Sequence, residues 1–346
     1  MSENGGYSKF DGEATEGRLV GKSNFDGEAT EGRLVGKSNL FGESLLRKSA
    51  LTIVSALMTN INQRGDRNTQ KYVDLGYKLL DVNIRQIVFM ERDVFDAHFR
   101  VRYSHFHSVA STANFDLSTT TSPSTFVYEG RAFEYVVYGR ITFVFFEKTD
   151  MYFHSIRDSI TEFKVDTPHP TKDTLDYMFV QCYKTEWVAM AICLDCSLKV
   201  AEERSRRRVV GDSDIYVWMD FGIRHMYPSD IACDMEIYEL RDRITTGNLE
   251  GKPAVYAPSC WNPKCIYYQD IYRQIHWVFA GSVFGGNVGV LLEFAKRTKD
   301  KCLSIIREKR RLMWEVNVWY MVFLDCRDMF ELYHGDHNAS ILRGFG

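Results

Sequence analysis

Residues 214–223, DIYVWMDFGI, are the stretch whose residue types and order best suit ligand binding or catalysis. Apolar residues that favour β-structure run from Ile215 to Met219, and Asp220 and Gly222 follow them. An apolar run of this length, bounded by polar and turn residues, predicts a buried strand. Ligands of open α/β sheets bind just outside the carboxyl ends of strands, so Asp220 could hold a divalent cation against a diphosphate. In the alternative interpretation, Asp220 only begins a turn or caps the next helix.

Two segments before this strand carry basic residues that could join the same site. Arg67 lies in a polar loop after the first predicted strand, where a nucleotide would sit. Lys172 precedes a predicted helix, for which Thr171 or Asp173 suits the N-cap. The N-terminal amides of that helix and Lys172 would suit a phosphate. The alternatives are a solvated loop and a plain capped helix.

Two segments after the strand carry further candidates. Gly285 and Gly286 belong to residues 281–287, GSVFGGN, where glycines would let the backbone approach a ligand closely. The alternative is a strand-to-helix turn. Glu315 and Asn317 lie within a strongly apolar segment, which predicts that they are at least partly buried. Buried acids need partners or a function.

The end of the chain has residues of metal-ligand character. His334, Asp336 and His337 fall within four residues, although a polar turn would explain them equally well. The pairs Cys193–Cys196 and Cys260–Cys265 are differently spaced and far apart, which argues against a structural zinc site. We therefore predict that the cysteines are buried small hydrophobic residues.

The order of the predicted elements supplies the frame for these residues. Strands are predicted at residues 51–58, 84–90, 126–138, 140–146 and 275–280. Helices are predicted between the first two strands, from about residue 171 to 191, and at residues 288–297 and 300–311. A strand, a loop, a helix and a second strand, in that order, begin a doubly wound α/β sheet.

Composition limits the class of protein. The 346 residues are 45% hydrophobic and 14% aromatic, enough for one large α/β domain or for two domains. A formal net charge of −3 argues against a general nucleic-acid binder. No apolar run reaches the length of a transmembrane helix, and the polar N-terminus predicts no signal peptide. We therefore expect a cytoplasmic protein whose eight cysteines are reduced.

The first part of the chain contains an exact tandem repeat. Residues 10–24 and 25–39 share the sequence FDGEATEGRLVGKSN. A duplicated segment so rich in glycine and charge cannot support a packed core. The sequence therefore predicts a disordered, flexible tail over residues 1–44 and one folded domain over residues 45–346.

Several of these motifs together resemble the HtrL/YibB family. The resemblance covers about residues 51–342 and is carried by Val54-Ser-Ala with Arg67, Lys172-Asp-Thr with Tyr177, Lys184-Thr185, Tyr216-Val-Trp-Met-Asp-Phe-Gly-Ile223, Phe284-Gly-Gly-Asn287, Trp314-Glu-Val-Asn317 and His337-Asn338. The family is found in bacterial lipopolysaccharide gene regions, large DNA viruses and some eukaryotes, and it looks like the GT-A glycosyltransferases. The resemblance implies a single GT-A-like, Rossmann-like α/β domain with a mixed central sheet flanked by helices.

The resemblance also implies roles for individual residues. Asp220 matches the first Asp of an Asp-x-Asp motif that binds Mn²⁺ or Mg²⁺, and His337 matches a late metal-binding His. Gly222 replaces the second Asp of that motif. Glu315 stands where a catalytic or acceptor-orienting acid is expected. The residues implied to bind a UDP- or GDP-sugar are Arg67, Lys172, Asp173, Trp218, Asp220, Gly222, Gly285, Gly286 and Asn287.

These implications predict a hexosyltransferase of glycan or lipopolysaccharide-type polysaccharide synthesis, acting in the host cytoplasm if the protein is viral. Its acceptor would be a glycan or a protein- or lipid-linked group. Glu315 would be the general base of an inverting reaction, or would support the departing or incoming oxygen of a retaining one. One alternative is a catalytically inactive GT-A-like protein that binds a glycan or a partner. A second is a metal-dependent hydrolase built on Asp220, His334, Asp336 and His337.

Overall fold

The described strands of this protein form one mixed sheet. The computed structural model describes residues 51–61, 68–104, 123–166, 171–203 (backbone alone over 199–203), 214–246, 253–263 and 271–345. Its strands are β1 (Leu51–Leu57), β2 (Arg85–Met90), β3 (Ser124–Tyr128), β4 (Arg131–Tyr138), β5 (Ile141–Phe145), β6 (Ile215–Met219), β7 (Val255–Ser259), β8 (Val283–Asn287) and β9 (Phe330–His334). The nine described strands lie in the order β3-β4-β5-β2-β1-β6-β8-β7-β9.

Strand directions bring several chain segments to one edge of the sheet. Strands β5, β2, β1 and β6 are parallel neighbours, and β9 is parallel to β7. Strand β8 runs antiparallel to both β6 and β7, so β7 points the same way as β6. The carboxyl ends of β1, β6, β7 and β9 therefore share an edge with the amino end of β8. This is the edge at which α/β sheets bind ligands.

Helices cover both faces of the sheet. They are α1 (Thr69–Leu80), α2 (Arg92–Val94), α3 (Arg100–Ser104), α4 (Leu175–Cys182), α5 (Lys184–Glu203), α6 (Asp230–Thr245), α7 (Val288–Lys309) and α8 (Glu315–Asp325). A π-helical turn at Phe95–Phe99 joins α2 to α3, and 3₁₀ turns lie at Lys148–Asp150, His154–Ser159, Ile223–Met226 and Arg327–Met329.

Among the described residues, one hydrophobic core lies between each face of the sheet and its helices. Two cores form because successive strand residues point to opposite faces. Val54 and Trp218 belong to the core that includes residues of α4, α5, α7 and α8. Their neighbours Ile53 and Val217 belong to the core that includes residues of α1 and α6. The prediction of an α/β fold with a mixed sheet flanked by helices is confirmed at this level.

Local sequence sets the start of the main helices. Asn68, Thr174, Ser229 and Asn287 each accept a hydrogen bond from the backbone N–H three residues later, at 3.0 to 3.2 Å. Such side chains satisfy one of the N–H groups that the first turn of a helix leaves unpaired. Thr174, rather than the predicted Thr171 or Asp173, is therefore the N-cap of α4.

Several predicted boundaries were wrong. Residues 275–280 are not a strand, and the predicted loop over residues 281–287 contains β8. The predicted helix through residue 191 is divided at Tyr183 into α4 and α5. Residues 288–297 and most of 300–311 form the single helix α7. An ion pair between Lys296 and Asp300 spans the predicted break. The predicted tail over residues 1–44 lies outside the described residues.

Within the described ranges, no helix combines the length and the apolar character that crossing a membrane requires.

Substitution of two helical glycines tests the packing next to the strand end of β6. A Cβ atom at Gly76 would lie 1.8 Å from the buried ring of Phe221, whereas one at Gly289 would meet nothing within 4 Å. We expect Gly76→Ala to lower the free energy of unfolding by about 1–3 kcal/mol through overpacking. The control Gly289→Ala should be neutral or raise it by up to about 1 kcal/mol. Urea denaturation measures both, and equal effects would contradict this packing.

Candidate functional site

A cleft of about 380 Å³ opens at the edge where β1 and β6 end. Its walls come from the turn after β1, the start of α1, the segment after β6 and the residues before β8. Helix α4, the start of α5 and single residues such as Lys172, Trp314 and His337 also contribute to the lining. The cleft therefore gathers segments that are far apart in the sequence.

The turn after β1 forms one fixed wall. Glu91 Oε2 accepts hydrogen bonds from the Thr59 amide at 2.8 Å and from the Thr59 hydroxyl at 2.5 Å. Lys148 Nζ donates to the Thr59 carbonyl at 3.3 Å. Asn60 has a positive φ of 53°, a conformation that Asn tolerates better than most residues. These contacts hold the exposed backbone of the turn against the cleft.

A buried lysine forms the floor of the cleft. The ammonium of Lys184 lies 3.0 Å from Asp220 Oδ1 and 3.3 Å from Glu315 Oε1, and it donates to the Gly281 carbonyl at 2.9 Å. The side chains of Lys184 and Glu315 are 3% and 4% exposed, whereas that of Asp220 is 31% exposed. The cation thus links two carboxylates, one in the interior and one facing the cleft.

The charge of Lys184 follows from these partners. Burial alone would lower the pKa of Lys184, because it disfavours the ammonium. Asp220 and Glu315 act in the opposite sense and leave the pKa of Lys184 above its ordinary value. The lysine is therefore an ammonium ion throughout the physiological pH range.

Glu315 combines a fixed oxygen with an oxygen that has no partner. Its Oε1 faces Lys184, and a Cβ atom at position 281 would lie 2.2 Å from this oxygen, so Gly281 is needed for the approach. Its Oε2 is buried and has no hydrogen-bond partner among the described residues. Because buried carboxylate oxygens are costly to leave unpaired, Oε2 retains the capacity to accept a hydrogen bond.

Trp218 orients Asp220 from below. The Trp218 indole nitrogen donates to Asp220 Oδ1 at 2.8 Å, and its ring stacks on Trp187 and on Phe284 with centroid separations of 5.8 and 6.4 Å. These two side-chain contacts of Asp220 therefore both engage Oδ1, in a carboxylate that is about one third exposed.

Packing against a neighbouring ring also favours glycine at position 222. A Cβ atom at Gly222 would lie 3.0 Å from the ring of Tyr72, which lines the same cleft. A side chain at position 222 would therefore press against the ring of Tyr72.

Part of the predicted site is brought together and part is not. The predicted residues that line the cleft are Lys172, Trp218, Asp220, Gly222, Glu315 and His337. Lys172 Nζ lies 5.8 Å from the ring centre of Trp314. Asp173 does not line the cleft; it is buried and accepts a hydrogen bond from the Trp314 indole at 3.2 Å. Arg67 lies outside the described residues.

The glycines of β8 lie away from the cleft. Gly285 and Gly286 pair with Val217 and Tyr216, and Asn287 pairs with Ile215 at the amino end of β6. A Cβ atom on either glycine would lie 2.5 to 2.6 Å from a neighbouring backbone carbonyl. The glycines therefore permit close approach of strands, not of a ligand, and Asn287 caps α7. Their placement corrects the prediction of a ligand-facing loop.

A separate group of potential ligands adjoins the cleft. Cys260, Asp336 and His337 each offer one ligand atom, and these atoms lie within 4.8 Å of one another. Across the described ranges no other set of three His, Cys, Asp or Glu ligands converges, so neither Asp220 nor His334 belongs to one. The hydrolase alternative, which needed these two residues beside Asp336 and His337, is not assembled as predicted.

Sequence analysis missed two residues of this region. Lys184 enters the sequence analysis only through the family resemblance, and the polar residues Thr185 and Glu186 beside it give no local sign of a buried cation. Cys260 was assigned to the core, and no local pattern connects it to His337. Their partners lie 131 and 77 positions away in the sequence.

Comparison with known proteins adds no family to this geometry. No protein-family model matches the sequence, and no curated protein is significantly similar to it. The resemblance to the HtrL/YibB family therefore stays an interpretation of the motifs, and function must be argued from the cleft itself.

Removal of the Lys184 ammonium should be strongly destabilising. Lys184→Met leaves Asp220 and Glu315 without their buried cation, and we expect it to lower the free energy of unfolding by about 3–5 kcal/mol. The control Lys301→Met breaks an ion pair with the exposed carboxylate of Asp325 and should cost less than about 1 kcal/mol. Chemical denaturation at pH 7 measures both. Similar losses would show that the buried ion pair contributes no more to the free energy of unfolding than the exposed one.

The raised pKa of Lys184 also predicts a pH dependence. Because the pKa is higher in the folded chain, its stabilisation is fully present below the unfolded value of about 10.4 and is lost as pH rises through the folded value. The stability difference between the natural chain and Lys184→Met should be constant from pH 7 to about pH 10 and should shrink above that. A difference that already falls between pH 7 and 9 would contradict the raised pKa.

Proposed function

We propose that the cleft binds a nucleotide-sugar and that the protein is a glycosyltransferase. The observation that carries the proposal is the convergence of Asp220, Lys184 and Glu315 on the floor of a cleft at the ligand-binding edge of the sheet. Transfer of a sugar from a diphosphate needs positive charge near the leaving group and an acid or base near the acceptor hydroxyl. The described residues supply both kinds of group.

Glu315 is proposed as the group that handles the acceptor proton. Lys184 holds Oε1 and leaves Oε2 to accept a hydrogen bond from an acceptor hydroxyl. In an inverting reaction the hydroxyl oxygen bonds to the anomeric carbon while its proton passes to Oε2. The bond from that carbon to the diphosphate oxygen breaks, and the diphosphate leaves with the electron pair.

Positive charge for the leaving diphosphate comes from lysines in this proposal. Lys172 lines the cleft, and the raised pKa of Lys184 keeps its ammonium charged behind Asp220. The start of α1, with Asn68 and Thr69, also lines the cleft, and the amino end of a helix favours anions.

The residues present do not fit a divalent cation held by the protein alone. Asp220 belongs to no set of three ligands among the described residues, and its Oδ1 already faces the Lys184 ammonium. A Mn²⁺ or Mg²⁺ ion at Asp220 and His337 would have to take its remaining ligands from a diphosphate and water. The Mn²⁺ or Mg²⁺ ion therefore stays a separate proposal, which titration with and without Mn²⁺ tests.

A second candidate is a protein of this shape that binds a glycan or partner without catalysis. The contact that favours it is the close approach of Tyr72 to Gly222, which leaves little room for a second carboxylate at that position. A cytoplasmic location remains part of the proposal in both cases.

Calorimetric titration of the full chain with UDP and GDP, with and without Mn²⁺, tests the transferase proposal. We expect one nucleotide to bind, and Lys172→Met to weaken it by about tenfold, because a charged contact to phosphate is lost. Glu315→Gln should retain nucleotide binding but slow release of nucleotide from the matching nucleotide-sugar by about 100-fold or more. Mass spectrometry of the reaction measures this release, with water as the acceptor.

Asp325→Asn is the matched control, since Asp325 pairs with Lys301 outside the cleft. It should change neither binding nor release. Tighter binding in Mn²⁺ that Asp220→Asn removes would support the predicted metal, whereas binding unaffected by Mn²⁺ would support the lysines as the only cations. Binding of neither nucleotide would overturn the proposal, and binding without release in the natural chain would favour the inactive alternative.

A further inference from the structure

We propose that Cys260, Asp336 and His337 form a zinc site at the rim of the cleft. The three side chains bring a thiol sulfur, a carboxylate oxygen and an imidazole nitrogen within 4.8 Å of one another. The proposal does not rest on a glycosyltransferase activity. It assigns His337 to a different set of ligands from the predicted pair with Asp220.

The sheet itself brings these residues together. Strands β7 and β9 are parallel neighbours, and their last residues, Ser259 and His334, are paired. Cys260 directly follows β7, and Asp336 and His337 follow β9 after Gly335. The Gly335 amide donates to the Ser259 carbonyl at 3.3 Å, which continues the pairing to the point where the ligands begin. The ligands are therefore anchored on adjacent strand ends.

Two of the three distances between ligand atoms fit a tetrahedral ion. His337 Nδ1 lies 3.3 Å from Asp336 Oδ1 and 3.8 Å from Cys260 Sγ. Ligand atoms at about 2.0 to 2.3 Å from a tetrahedral Zn²⁺ lie roughly 3.3 to 3.8 Å from one another. An ion could thus enter between these side chains with little movement of the backbone.

The ligand types select zinc over the harder cations. A thiolate and an imidazole suit Zn²⁺, whereas Mg²⁺ and Mn²⁺ prefer sites made of oxygen. Trp277 packs edge to face against His337, with ring centres 4.7 Å apart, and so restrains the ring. Such packing orients the imidazole as the surroundings of metal-binding histidines commonly do.

The site adjoins the cleft through His337, which lines it. Three protein ligands leave one tetrahedral position for water or for a ligand in the cleft, an arrangement typical of zinc sites that act on substrates. This position is the proposed link between the ion and whatever molecule the cleft binds.

The test uses the full chain, freed of metal by a chelator and then titrated with Zn²⁺ or Co²⁺. We expect one Zn²⁺ per chain after dialysis, measured by elemental analysis, and a thiolate-to-metal absorption band with Co²⁺. Cys260→Ser should abolish this band, and His337→Ala should weaken Zn²⁺ binding by more than about 100-fold, since even outer contacts of metal ligands matter by 10- to 100-fold. Asp336→Asn should weaken it as well.

His334→Ala and Cys326→Ser are matched controls, because His334 ends β9 three residues before His337 and Cys326 is a free thiol outside the group. Both should bind Zn²⁺ as the natural chain does. Thermal unfolding supplies an independent reading: Zn²⁺ should raise the melting temperature of the natural chain and of both controls, but not of His337→Ala. Three results would overturn the proposal: no stoichiometric Zn²⁺ in the natural chain, Zn²⁺ binding by Cys260→Ser or His337→Ala as tight as in the natural chain, or loss of binding in a control.

Discussion

The buried ammonium of Lys184 is the interaction on which the cleft depends. Lys184 begins α5, Asp220 follows β6, Glu315 begins α8 and Gly281 precedes β8, so one cation joins four distant segments. A buried charge is tolerated only when its partners surround it, and removal of one partner leaves the others uncompensated. The ion group that sets the charges of the cleft floor therefore also stabilises the fold.

The direction of β8 decides which residues reach this floor. Because β8 is antiparallel to β6, its amino end meets the carboxyl end of β6, and Gly281 and Ser282 enter the cleft. Gly285 and Gly286 lie farther along β8, paired with Val217 and Tyr216, where the absence of side chains lets the strands pack closely. A parallel strand at this place would have reversed these roles.

The same edge carries two chemically different groups. The floor between Lys184 and Asp220 is an ion pair of hard, charged atoms, whereas the rim at Cys260 and His337 offers sulfur and imidazole. Both lie at the edge where β1, β6, β7 and β9 end and β8 begins, and His337 belongs to both the cleft lining and the rim. A molecule bound in the cleft would thus lie beside both groups.

The sequence by itself determined the features that depend on neighbours along the chain. The apolar run before Asp220 predicted β6 and its polar end, and the apolar surroundings of Glu315 predicted its burial, because periodicity and composition are local signals. Glycine was ambiguous, since both a ligand and a strand can require close approach to a backbone. Tertiary structure alone decided that Lys184 meets Glu315 and that Cys260 meets His337. These pairs are set by strand order and direction, which bring together residues that no local pattern connects.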